Sequence, residues 1–151
     1  STKKLQALQK KAIRLVCKEK RNAHSEPLFK KMNILSLNDI KKQQELVFYF
    51  KISNNLAPQY FLHNFLLYNN DIGAYPTRNQ NALSTPVFRT ELFRKLLRYS
   101  LVNTINQSPQ CIISKVQTHS LKGYANYIKY HFLHNYSDSC TINPCYVCGR
   151  H

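Results

Sequence analysis

The stretch DIKKQQELVFYFKISN, residues 39–54, decides the fold. At 100° per residue, Ile40, Leu46, Val47 and Phe50 share one helical face. Phe48 and Ile52 carry the apolar surface almost all the way round. A helix apolar on most sides belongs inside a helical body, so this one is expected at its centre. Asn38 precedes it as a candidate cap, and Asp39 in the first turn suits the positive end of the helix dipole. Pro58 ends the run, and PQYFLHNFL at 58–66 reads as a further short helix.

Toward the N-terminus, residues 2 to about 20 form an amphipathic pattern. Leu5, Leu8, Ala12, Leu15 and Val16 fall within about 100° of arc and are expected to face a core. Lys3, Lys4, Lys10, Lys11, Arg14 and Lys18 fall within about 120° on the opposite side, apart from any acid. Ser25 is positioned to cap SEPLFKKM, with Pro27 tolerated in the first turn.

Toward the C-terminus the character changes. YNNDIGAYPTRNQN is loop chemistry, and ALSTPVF at 82–88 suits a short edge strand interrupted by Pro86. TELFRKLLRYSLVNTI is open between helix and strand, and CIISKV is either extended or the start of a helix. From about Ser120 to Asn135 the helical period returns. Leu121, Ala125, Ile128 and Phe132 make its core stripe, while Tyr124, Tyr127, Tyr130, His131 and His134 make an adjoining rim. The expected fold is therefore mainly α, with a small β element around residues 83–103 and an irregular arginine-rich segment.

The chain has 151 residues, enough for a domain with a real core, and 43% of them are hydrophobic. Only three are glycine, which argues against Gly-rich phosphate loops. No run reaches the ~18 apolar residues of a membrane-spanning helix. The chain opens STKKLQ, without methionine and already inside a helical pattern, and is expected to be a piece of something longer. Five cysteines, an odd number unevenly spaced, make a poor disulfide framework and favour a reducing compartment.

Twenty-two basic and seven acidic side chains give a net charge of +15. Solubility needs a charge of magnitude only ~2–8 in a small domain. The excess therefore points to a polyanion as partner, nucleic acid before an anionic membrane surface. It is also local: residues 1–51 carry 13 basic and 4 acidic side chains, and residues 89–99 carry 4 and 1. The segment YPTRNQNALSTPVFRTELFRKLLRYS, 75–100, sets Arg78, Arg89, Arg94, Lys95 and Arg98 against Glu91 alone. Arginine's planar fork matches phosphate oxygens two at a time. Tyr68, Tyr75 and Tyr99 are suited to stacking on unpaired bases, and bracing of backbone carbonyls is the competing role for Arg78 and Arg89.

Taken in order, LQKKAIRLVC, AHSEPLFKKMNILSLNDI, NNLAPQYF, DIGAYPTRNQNALSTP and FRTELFRKLLRY resemble the C-terminal part of jockey-like non-LTR retrotransposon reverse transcriptases. The resemblance spans roughly residues 3 to 135. It implies a helical accessory domain over 1–135, with 1–20 resembling the end of the polymerase thumb, followed by a Cys-rich tail at 136–151. Tyr75, Thr77 and Arg78 match its Tyr-x-Thr-Arg mark, and Arg89 with Thr90 its Arg-Thr pair. The tryptophan that relatives carry after the Arg-Tyr pair is missing beyond Arg98 and Tyr99. The resemblance implies template RNA or an RNA–DNA hybrid and the rest of the polymerase as partners, and a nuclear location. The paired aspartates that hold two metals for phosphoryl transfer are absent, since Asp39, Asp71 and Asp138 stand apart. The chain alone is expected to be non-catalytic.

The tail CTINPCYVCGRH places Cys140, Cys145, Cys148 and His151 as C-x4-C-x2-C-x2-H. Four such ligands suit tetrahedral zinc, although a usual structural site separates its two pairs by more residues. His131 and His134 are further candidate contributors. Two other function classes stay open: a stand-alone or domesticated protein-interaction module, and a peripheral membrane binder built on the basic first helix.

Overall fold

The computed structural model describes residues 2–72, 81–87, 90–94 and 96–136, Arg94 by its backbone only. Among these residues the chain forms nine helices: α1 (Thr2–Val16), α2 (Glu26–Lys31), α3 (Leu37–Ser53), α4 (Gln59–Phe65), α5 (Asn69–Ile72), α6 (Glu91–Arg94), α7 (Leu97–Gln107), α8 (Gln110–Ser114) and α9 (Leu121–His134). The mainly α expectation holds. The chain divides into two units, Ser1–Lys41 with Asn126–His151, and Lys42–Ala125.

In the first unit, Ile13, Leu28 and Phe29 form a buried cluster, with Cys17 and Tyr136 packed against it. α1 is held by one flank rather than by its leucines. Gln9 works like a strand edge: its Nε2 donates to the Leu35 carbonyl at 3.0 Å and its Oε1 accepts the Leu37 amide at 3.0 Å. Gln6 donates to Asn38. Gln6, Gln9, Ile13 and Cys17 thus make the packed face. The expected core stripe is exposed instead, with Leu5 57%, Leu8 58%, Leu15 79% and Val16 65% accessible. Hydropathy marks which side chains favour burial, but here amide geometry decides which face is held.

α3 starts at Leu37, upstream of the expected cap Asn38. Ser36 is the capping residue: its hydroxyl accepts the Asp39 amide at 3.3 Å and donates to Asp39 Oδ2 at 2.6 Å. Tyr136 completes the knot. Its hydroxyl donates to Asp39 Oδ2 and accepts the Ser36 amide, while Lys30 Nζ donates to its carbonyl. Its ring meets Phe29 edge-on, with centroids 6.5 Å apart. Burial, and the hydrogen bond to Asp39, raise the Tyr136 pKa.

Three helices stop in the same way. Lys18, Asn33 and Asn55 have φ of 54°, 55° and 55°. In each case the next amide bonds a carbonyl five residues back: Glu19 to Arg14, Ile34 to Phe29 and Leu56 to Lys51. This is the Schellman pattern, which favours glycine or asparagine at the left-handed residue. Lysine at position 18 carries a Cβ penalty of ~1 kcal/mol there. Lys18→Gly is therefore expected to stabilise the chain by roughly 0.5–1 kcal/mol in urea titrations, and Asn33→Gly by less.

The second unit is built on the rest of α3. Leu46 and Phe50 form one buried row, and Glu45, Tyr49 and Ile52 form another. Leu101, Val102 and Ile105 of α7, Ile112 of α8, Val116 and Tyr124 supply the facing core. Tyr124 is fully buried and stacks on Phe50, with centroids 5.1 Å apart, and so leaves the rim expected of it. Glu45 is buried and accepts a hydrogen bond from the Thr104 hydroxyl. Phe48 meets Phe61 of α4 edge-on, and Phe61 in turn meets Phe65.

Among the described residues the expected β element shrinks to one bridge pair, Tyr68 with Leu83. Asn69 N–H bonds the Ala82 carbonyl at 3.0 Å and Ser84 N–H the Leu67 carbonyl at 2.7 Å. Leu83's own amide and carbonyl point the other way and are both taken by the Asn106 side chain, at 3.0 and 2.8 Å. A side-chain amide has taken the place of a third strand. Residues 91–94 and 97–107 are helical, and CIISKV begins within α8.

Candidate nucleic-acid interface

α1 presents three faces roughly 120° apart. One is the packed flank of Gln6, Gln9 and Ile13. The second is the exposed apolar stripe. The third carries Lys3, Lys4, Lys10 and Lys11, all exposed. α1 contains no acidic residue, so this face holds uncompensated positive charge along much of the helix.

The other two residues expected on the basic face differ. Arg14 is half-buried, and its Nε donates to the Ala23 carbonyl at 2.7 Å. It therefore braces the turn after α1 as well as lending charge. Lys18 is exposed but lies past the helix end, in the left-handed cap. Beside the lysine face opens a hollow of about 440 Å³ lined by Lys11, Arg14, Leu15, Glu19 and Arg21. Three of its five lining residues are cationic and one is a carboxylate, a balance that favours an anionic group held at its edge.

The arginine-rich segment is only partly described. Tyr75, Arg78 and Arg89 lie outside the described residues, and Arg94 is known by its place in α6. Arg98 and Tyr99 sit in the first turn of α7, both half-buried. Arg98 Nε is shielded from solvent and has no hydrogen-bond partner among the described residues. These two residues belong to the second unit and α1 to the first. The structure thus groups the four lysines on one face of α1. Cys140, Cys145, Cys148 and His151 lie outside the described residues. Among the described residues, no three His, Cys, Asp or Glu side chains gather in a way that could hold a metal ion. No described helix is long and apolar enough to cross a membrane.

Two clusters escaped sequence reasoning. Ser36, Asp39 and Tyr136 converge from positions nearly a hundred residues apart, and no local pattern announces such a pairing. Tyr49 hydrogen-bonds Ser53 and Tyr68, and its pKa is raised by burial first and by Tyr68 second. Asp39 and Asp71 both serve local structure, Asp71 by accepting the Tyr68 amide at 3.4 Å. Compared with models of protein families, with curated proteins and with solved structures, the chain matches none.

Proposed function

We propose that this chain is a nucleic-acid-binding accessory segment, without polymerase chemistry of its own, of a reverse transcriptase of the non-LTR retrotransposon type. One observation carries the reading: Lys3, Lys4, Lys10 and Lys11 stand exposed together on a helix that has no acid, in a chain of net charge +15. The sequence resemblance supplies the polymerase context and with it a nuclear place of action. The partner is RNA or an RNA–DNA hybrid, gripped through its phosphates, with the 75–100 segment as a second contact and Cys140, Cys145, Cys148 and His151 as proposed zinc ligands of the tail.

Phosphate contacts make affinity fall with salt in proportion to their number. Replacing Lys3, Lys4, Lys10 and Lys11 together by glutamine is expected to weaken binding of a single-stranded RNA. It should also reduce the slope of log affinity against log salt by about 3. Fluorescence anisotropy from low to physiological salt measures both. An unchanged slope in a variant of unchanged helicity would overturn the reading.

A further inference from the structure

The exposed apolar stripe of α1 has a finer order than mere amphipathicity. Leu5, Leu8, Ala12 and Leu15 follow one another at spacings of three, four and three. That is the a/d seam of two heptads, about 15 Å long. Lys4 and Lys11 occupy the position immediately before each a residue, where coiled-coil helices carry the charges that choose a partner. On the other flank of the seam, Gln9 is already bonded to Leu35 and Leu37. The seam is therefore held in a fixed orientation by the folded unit behind it, while its leucines stay more than half exposed.

We infer that the Leu5–Leu8–Ala12–Leu15 seam of α1 docks an amphipathic helix of another protein segment, one with leucine-like anchors flanked by acidic residues. Charge selects this occupant. An antiparallel second copy of α1 would bring Lys4 and Lys11 against each other, at a repulsive cost, and a parallel one would set them against Gln9 and Val16, which supply no countercharge. Glutamates on the incoming helix would instead meet the two lysines, and its apolar anchors would cover Leu5, Leu8 and Leu15. Ala12, the small residue of the seam, lets the partner backbone approach closely there. Two heptads are too short for a free-standing coiled coil, which needs three or four. The site is thus a preformed half-groove that a longer helix settles on. The seam lies beside the lysine surface and shares Lys4 and Lys11 with the nucleic-acid reading, and the leucine variant below tells the two roles apart.

The test uses the full chain and a labelled synthetic helix of three heptads, with leucine at a and d and glutamate at the flanking e and g positions. A control peptide carries lysine at those flanks. Anisotropy should show saturable binding of the glutamate peptide and none of the lysine peptide. Leu5→Gln with Leu8→Gln should weaken binding by about tenfold or more. Circular dichroism and RNA affinity should stay unchanged in that variant, because both side chains are exposed. Lys4→Gln with Lys11→Gln should weaken the complex and flatten its salt dependence. Equal binding of both peptides, or an intact complex after the double leucine change, would overturn the inference. So would leucine-dependent self-association in sedimentation, or displacement of the peptide by phosphatidylserine vesicles.

Discussion

Tyr124→Ala is expected to lower stability by about 3–5 kcal/mol, while Tyr124→Phe lowers it not at all. The ring lies fully buried on Phe50 in the second unit. Truncation removes that stacking and leaves a cavity in the buried core of the second unit. The hydroxyl is a different matter. It is buried and has no hydrogen-bond partner among the described residues, so it bears a desolvation cost without return. Phenylalanine removes the cost and keeps the shape, and a gain of up to ~1 kcal/mol is the expected sign. Urea titration of the two variants decides it: a Tyr124→Phe protein as unstable as Tyr124→Ala would mean the hydroxyl is bonded after all.

The same residue sets an alkaline limit. Burial raises the pKa values of Tyr49, Tyr124 and Tyr136 above the ordinary value of 10.0. The unfolded chain then loses these protons at lower pH than the folded one. Stability is complete below pH 10 and falls as pH rises beyond it. Tyr124→Phe should make that fall shallower, read from denaturation midpoints at pH 9 to 11.

The second large effect is expected at Ile13. It is the sole buried residue of α1. Ile13→Ala should cost about 2–4 kcal/mol, borne mainly by the first unit. The Gln9 clamp, left alone, is worth only ~1 kcal/mol per hydrogen bond, too little to keep the helix docked. Amide exchange in α1 should accelerate by at least about a hundredfold, while that of α3 residues 46–52 changes little. The four lysines would then ride on a loose helix, and RNA affinity should fall without loss of a single charge. Exchange in α1 that stays at the parent rate would show that the helix is held by something other than Ile13.

Much of the architecture is legible in residue order. The 39–54 stretch, PQYFLHNFL and the 120–135 stretch are helical because their apolar spacing allows little else, and Pro58 punctuates them. What escaped is the work of side-chain amides and hydroxyls. Gln9 and Asn106 each substitute for a strand neighbour, and hydropathy assigns both to the surface. Ser36 rather than Asn38 caps α3 because its hydroxyl reaches Asp39, a geometric fact that two equally plausible capping residues conceal. Residues 90–105 defeated periodicity because their apolar runs are short and alternate. The lysine surface was readable as charge on one side of a helix, but which of its members stand free was not: Arg14 is bonded to a carbonyl that only the folded turn brings near.

The Ser36–Asp39–Tyr136 knot carries a consequence for how the protein is made. Its first two members leave the ribosome early, and the third emerges only after the whole of Lys42–Ala125 has been synthesised. The second unit is continuous in sequence and is free to condense as it appears. The first is completed only once Tyr136 has been made, and until then the Ile13–Leu28–Phe29 cluster lacks the ring that packs against it. During that interval the Ile13 face of α1 is a natural client for a chaperone.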